Sequence, residues 1–347
     1  IFYFFRKFFL KIVDLSADSG ILSMSREIQT SYKQEVTNMS TLKNQNFGVE
    51  VEMTGISRGA AADVVASVLH STVSHPAFGS YDKRNIKDGE GRVWKVMRDA
   101  SIVPQPESKD DFKVEFVTPI LQYKDIELLQ TIIRALREAG AIANKSCGIH
   151  VHVDGANHTS ESLLRLLEFF DARQDIIYEA LNVGDRKNRW CKPISHTLVD
   201  SIKKDKDHSL TSFENTWYSD KNDGYCGGIS SRQEHYNSTR YHGINLHAFF
   251  SKGTVEFRLF NSTLHAGKIK AYIQFCLAMS AWAIDSDKRV TFKSTKEYTP
   301  AQKVTIFRNM LVNRLGLKGD EFKTCRLWML DRLKKNAGQA SRVGRAA

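Results

Sequence analysis

The sequence predicts an α+β protein: a curved antiparallel sheet with helices packed on its outer face. Two observations point there. Several short segments alternate strictly between apolar residues and charged or imidazole residues, the period of a strand with one buried and one polar face. Between and after them, Asp125 to Ala139 and Lys268 to Ile284 are apolar at helical spacing or nearly throughout. Strands of this kind, curved together with helices behind, would converge their polar faces in a concave, water-filled funnel.

Composition sets the bounds. A chain of 347 residues with 41% hydrophobic content can bury a sizeable core. No run of about 18 apolar residues suggests a membrane span. Ile1 to Val13 is apolar but interrupted by Arg6, Lys7 and Lys11, and lacks the small-residue cleavage site of a secretory signal. Residues 1–45 therefore read as a poorly defined extension. The five cysteines form no C-x-x-C pair, which fits reduced thiols in a cytoplasm and neither a disulfide framework nor a zinc knuckle. From Lys288 onward 15 Lys and Arg face four Asp and Glu, so the entire net charge of +11 lies in residues 288–347. A basic helical tail of this kind suits a solvated face, or an anionic partner such as nucleic acid.

The main body, residues 46–287, begins with Asn46-Phe47-Gly48-Val49-Glu50-Val51-Glu52-Met53. Phe47, Val49, Val51 and Met53 share one face, Glu50 and Glu52 the other. Two carboxylates about 7 Å apart along a strand repel unless a cation lies near them. Mg²⁺ or Mn²⁺ is the natural hard, oxygen-seeking candidate. Ala60 to Leu69 reads as a helix, and Gly79 to Gly91 as a loop or hairpin connection. Val93 to Ile102 is a short strand ending in Asp99 and Ser101. Lys113 to Pro119 is another, with Glu115 facing opposite to Val114 and Phe116. The Asp125–Ala139 helix stops at Gly140.

Next comes Cys147-Gly148-Ile149-His150-Val151-His152-Val153-Asp154, which places His150, His152 and Asp154 on one face and three β-branched residues on the other. Two imidazoles in register need hydrogen-bond partners or ligands. Ser160 is the expected cap of the following helix. Residues 185–240 form a long polar insertion containing Trp190, Trp217, Tyr218 and Tyr225, expected to act as a lid or substrate-binding excursion. Tyr241 to Ala248 and Gly253 to Phe260 read as a hairpin around Ser251-Lys252-Gly253, with Glu256 and Arg258 on one face. A carboxylate and imidazole cluster beside an arginine fork suits a metal and phosphate oxygens, hence nucleotide-dependent phosphoryl transfer.

The ordered series Phe-Gly-Val-Glu-Val-Glu, Trp with Asp99-Ala-Ser-Ile, Val-Glu115-Phe-Val-Thr-Pro, Ser-Cys-Gly-Ile-His150-Val-His152-Val-Asp, Asn245-Leu and Val-Glu256-Phe-Arg258-Leu-Phe resembles the amidoligase family. These are carboxylate-amine ligases with a glutamine synthetase-like fold. The resemblance runs from about Asn46 to Ile284. It implies a glutamine synthetase-like catalytic domain that uses ATP to convert a carboxylate to an acyl phosphate, which an amine attacks to give an amide. It also implies metal ligands at Glu50, Glu52, Glu115, His150 and Glu256, with ATP and Mg²⁺ (or Mn²⁺) as cofactors. His152 and Arg258 would then stand at the nucleotide phosphates, with Asp99 and Asn245 as further nucleotide contacts, and Arg258, Glu256 and His152 would be the catalytic groups. The sequence departs from the family pattern at Ala100, where glycine is expected, and shows no second clear carboxylate beside Glu115.

The expected partners are a small-molecule or peptide carboxylate and an amine. A metal-dependent phosphodiester hydrolase or nuclease is the main alternative, since the same groups serve two-metal cleavage and the tail could meet nucleic acid. A non-catalytic binding protein is the third, and retention of mutually repelling carboxylates argues against it. Glu50→Ala or Glu256→Ala is expected to remove metal-dependent activity and leave the fold intact, or steadier in metal-free buffer.

Overall fold

The computed structural model describes residues 41–75, 81–106, 109–219, 232, 234, 236–292 and 297–346. The strands are β1 (Phe47–Met53), β2 (Val73–Ser74), β3 (Arg84–Lys87), β4 (Val93–Met97), β5 (Val114–Val117), β6 (Gly148–Asp154), β7 (Ile244–Asn245) and β8 (Thr254–Asn261). Among the described residues they form one sheet in the order β2-β3-β4-β5-β1-β6-β8-β7, with every neighbouring pair antiparallel. The expected α+β architecture is the one observed.

The α-helices are α1 (Arg58–Val68), α2 (Ile126–Glu138), α3 (Ser160–Asp171), α4 (Gln174–Leu181), α5 (His196–Lys204), α6 (Leu210–Tyr218), α7 (His247–Lys252), α8 (Ala266–Asp285), α9 (Pro300–Asn309) and α10 (Lys323–Ala346). Alternation along the strands decides the layering. Val49 and Val51 of β1, Phe116 of β5, Val151 of β6 and Phe257 of β8 are buried in one continuous core with Leu129 and Ile133 of α2, Leu167 of α3 and Leu277 of α8. α1 packs against β3 and β4, and α8 against β6. Trp94 illustrates the packing: it is fully buried, stacks on Phe116 with centroids 5.9 Å apart, and donates its indole N–H to Asp88 at 2.8 Å. Removing such a ring would cost about 3–5 kcal/mol. The opposite face of the sheet carries the polar residues.

Several local expectations are corrected. Thr159, not Ser160, caps α3: its hydroxyl accepts from Ser162 N–H while the Ser162 hydroxyl accepts from Thr159 N–H. The stretch 79–91 contains β3, so it supplies a strand as well as a connection. The described part of the 185–240 insertion holds a 3₁₀ turn (Gly184–Asn188), α5 and α6, and the apolar residues Leu198, Val199, Ile202, Phe213 and Trp217 of the two helices join the core. Tyr225 and Cys226 fall outside the described residues, as does the 1–40 part of the head.

β7 and β8 do pair antiparallel, but the connection between them is the helix α7, closed by Gly253 in the left-handed region at φ +74°. A bulge between the Ile149 and Val151 pairings shifts β8 by one residue, so Phe260 lies opposite Ile149 and stacks on Tyr272 of α8.

The basic tail contains α9 and α10. Its apolar residues, including Phe307, Leu317, Phe322, Cys325, Met329 and Leu333, belong to the same core, and α10 packs on α8, α9 and α4. The four described cysteines are buried and free. Among the described residues no helix is long and apolar enough to cross a membrane.

Candidate active site

Register assembles the site. Across β1 and β6 Glu50 lies opposite His150; across β1 and β5 Glu52 lies opposite Glu115; across β6 and β8 His152 lies opposite Glu256. Side chains at paired positions share a face, so three strand pairings alone bring six carboxylates and imidazoles onto one surface. Arg258 follows Glu256 by two residues and joins it there.

These groups sort into two sets of three. Potential ligand atoms of Glu50, His152 and Glu256 all lie within 4.8 Å of one another, and so do those of Glu52, Asp99 and Glu115. His150 stands between the sets. Its Nδ1 is 2.8 Å from Glu50 Oε2, and its Nε2 is 3.8 Å from Glu52 Oε1.

Two residues expected at the nucleotide lie among the carboxylates. His152 lies with Glu50 and Glu256: its Nε2 is 3.3 Å from Glu50 Oε1 and 3.8 Å from Glu256 Oε1, while its Nδ1 contacts the Thr254 hydroxyl at 3.0 Å. Asp99, expected at the nucleotide, lies instead with Glu52 and Glu115. It fills the place of the second carboxylate that the sequence does not show beside Glu115. It gets there because Met97 pairs with Glu115, and the chain runs on from β4 for two more residues.

Glu256 is 3% exposed and held at both oxygens. Arg258 donates to Oε1 at 2.5 Å, and the Asn245 amide donates to Oε2 at 2.5 Å. Asn245, expected to contact a nucleotide, is therefore committed inside the protein. Its carbonyl oxygen accepts from Ala248 N–H at 3.3 Å, and it lines neither of the cavities described below. Its observed work is to orient Glu256.

The electrostatics divide the carboxylates in the same way as the geometry. Burial opposes ionisation of Glu50 and Glu256. For Glu50 the two histidines outweigh it and hold the carboxyl well below its usual range. For Glu256 Arg258 and the histidines outweigh it and bring the value to about 2. Glu52 is pushed up to about 8 by burial and by Asp99, and Glu115 well above its usual value by burial, Glu50, Asp99 and Glu52. Burial and then Arg258 lower His150, whereas Glu256 and Glu50 overcome burial and raise His152. A neutral His150 donating Nδ1–H to Glu50 leaves its Nε2 as a lone pair facing Glu52.

The residues present fit divalent cations. Buried carboxylates crowded together, with Glu52 and Glu115 driven towards their neutral form, and a buried imidazole nitrogen turned to Glu50 and Glu256 are groups whose charge a cation would balance. Five oxygen donors with one imidazole suit Mg²⁺ or Mn²⁺.

Two cavities flank the cluster. One of about 490 Å³ is lined by Glu52, Glu115, Arg186, Trp190, Arg240 and Arg258 among others. The other, about 350 Å³, is lined by Gly48, His152, Asp154, Thr118 and Thr254 among others. Glu50, Val117 and Lys252 line both.

Residues missed by the sequence reading stand on the walls. Arg186 comes from the insertion, as does Trp190, which the sequence reading set in the expected lid or substrate-binding excursion. Arg240 lies 5.6 Å from the Tyr241 ring centroid, and Lys95 of β4 faces the first cavity. Lys95 shared the alternation of its strand and was legible in principle; the arginines carried no periodic signal.

The family model described as "putative amidoligase enzyme" matches residues 43–280. No curated protein matches the chain. Among solved structures, the bifunctional glutathione synthetase from Pasteurella multocida aligns at 13% identity with a TM-score of 0.40, covering 90% of this chain and 50% of that one. The chain thus spans half the length of that enzyme.

Proposed function

The chain belongs to the amidoligase family, and from that premise we propose that it is an ATP-dependent carboxylate-amine ligase working through an acyl phosphate. In this reading a substrate carboxylate oxygen attacks the γ-phosphorus of ATP, the bond from that phosphorus to the β–γ bridging oxygen breaks, and ADP leaves. The amine lone pair then attacks the acyl carbon, phosphate departs with the C–O bond electrons, and the nitrogen gives up a proton as the amide forms.

The observation that most supports this is the juxtaposition of two three-ligand groups with the Arg258 guanidinium on one sheet face. Glu50, His152 and Glu256 would hold one divalent ion, and Glu52, Asp99 and Glu115 a second. Bound there, the ions would neutralise charge on the phosphates. The protein's own groups do the rest. Arg258 offers its remaining donors to the phosphoryl oxygens, where positioned charge lowers the barrier. Asn245 and Arg258 fix Glu256. Glu50 fixes the tautomer of His150. The 490 Å³ and 350 Å³ cavities would offer the nucleotide and the acid separate places.

A melting-point titration with ATP and Mg²⁺, together and separately, on the full chain and on Glu50→Ala tests the reading. A rise that requires both ligands and vanishes in the variant is the expected result. A rise with metal alone and no response to ATP would sink it and favour a metal-dependent hydrolase.

A further inference from the structure

Arg186 has no place in the functional reading above, yet it is 8% exposed. It belongs to the 3₁₀ turn Gly184–Asn188, whose end is tied down because the Arg186 carbonyl accepts from Arg189 N–H at 3.1 Å and Trp190 N–H at 2.8 Å. The side chain lies against Gly148 at the start of β6, an inner strand flanked by β1 and β8. A Cβ at Gly148 would collide with the guanidinium, 2.9 Å from Cζ and nearer still to both terminal nitrogens. Only glycine leaves room for it.

The guanidinium is under-used in that position. Its contacts are one long hydrogen bond, 3.5 Å, to the Arg258 carbonyl and one with the Cys191 thiol, Glu52 acts on it from longer range, and its Nε has no partner. Among the described residues no carboxylate comes within ion-pair distance of it. The other buried arginines differ: Arg58 pairs with Asp82 at 2.7 Å and Arg258 with Glu256 at 2.5 Å. Burying a guanidinium without an anion is costly. This one faces the 490 Å³ cavity, next to Ser146 and Arg258.

We propose that Arg186 holds an oxyanion of a substrate in that cavity, either a carboxylate of the acid or a phosphate of the nucleotide. Both are planar or tetrahedral oxygen arrays that a guanidinium fork grips at two points. The identity of the anion rests on the ligase reading; the existence of the site does not. Its cradle at Gly148, fixed turn and place in the cavity lining make it an anion receptor built into the inner wall of the cavity.

Titration of the full chain in EDTA-containing buffer with succinate, inorganic phosphate and ATP, read by calorimetry and melting point, tests this without any turnover. At least one probe is expected to bind, and Arg186→Gln to weaken that probe by about tenfold or more. Arg186→Lys should fall between. Arg137→Gln, the same charge change at an exposed position of α2, should leave binding unaltered. Loss of succinate alone assigns the site to a carboxylate; loss of phosphate and ATP assigns it to the nucleotide.

Equal effects of Arg186→Gln and Arg137→Gln, or no binding of any probe to the unaltered chain, would overturn the proposal. Should Arg186→Gln fail to fold, Gly148→Ala keeps the charge but displaces the guanidinium, and unaltered probe binding in that variant is the overturning result. Probe binding through Arg186 without any ATP-dependent ligation would sink the ligase reading alone.

Discussion

Glu52 and Glu115 face each other across β1 and β5 as directly paired residues, two acids where a sheet ordinarily sets complementary partners. With Asp99 beside them, burial pushes Glu52 up to about 8, so near neutral pH in metal-free buffer its carboxyl keeps a proton that the unfolded chain has lost. The folded state then binds more protons than the unfolded state between pH 4.5 and 8, and stability falls as pH rises through that window.

Glu52→Gln should therefore raise metal-free stability at pH 8, by an amount of order 2 kcal/mol. The amide oxygen can still accept Gly148 N–H, which Glu52 now accepts at 2.6 Å. Added Mg²⁺ or Mn²⁺ should stabilise the unaltered chain and not the variant. Denaturant melts at pH 5 and pH 8, with and without metal, check both parts; a variant less stable than its parent at pH 8 would refute the account of crowding.

Glu256 is the opposite case, and here the expectation that deleting a cluster carboxylate leaves the fold intact or steadier fails on electrostatics. Its ionised form is stabilised by Arg258 and the two histidines and anchored by Asn245. Glu256→Ala strands a buried guanidinium and a buried amide, at a cost of about 3–5 kcal/mol. Glu256→Gln should cost less because one oxygen acceptor survives. A melting temperature unchanged in the alanine variant would contradict this.

His158 should give the protein a distinct acid sensitivity. Its ring nitrogens contact the Ser162 and Ser280 hydroxyls, each at 2.9 Å, and burial, then Arg165, pushes its pKa down to about 4. As pH falls from 6.5 to 4 the unfolded chain takes up this proton first, so stability drops by about 1.4 kcal/mol per unit, approaching 3 kcal/mol. His158→Gln should flatten that part of the stability-pH curve, leaving the share due to carboxylates. Parallel curves for the two proteins would exclude His158 as the source.

Removing residues 323–347 should do more than lower the net charge. Cys325, Met329, Leu330 and Leu333 of α10 are buried in the common core, and Asn336 donates to Glu179 of α4 at 3.0 Å. Loss of several such side chains at about 2–5 kcal/mol each exceeds the stability of an ordinary domain. The truncated chain should lack a cooperative melt; retention of the full melting temperature would show that α10 is dispensable.

The strand faces were legible because alternation is a strong and local signal: Glu50 with Glu52, His150 with His152 and Glu256 with Arg258 each share a face as read from spacing. What spacing could not show was register. Which carboxylate meets which histidine depends on strand order, and that order separates Glu52 from Glu50 into different ligand groups and draws in Asp99 from β4. The bulge in β8 and the helix α7 were equally silent, since one inserted residue or six helical ones leave no period to detect. In the insertion, α5 and α6 were hidden by polar outward faces, although Leu198, Val199 and Ile202 already show helical spacing.

The two cavities share Glu50, Val117 and Lys252 as lining residues and otherwise keep separate walls. Ligands held one in each cavity would not need to pass one another to reach the same carboxylate. Neither would block the other's departure, so no compulsory order of arrival is imposed and a spent molecule can be exchanged on one side while its counterpart stays in place. Initial-rate lines measured against the two substrates should then intersect rather than run parallel.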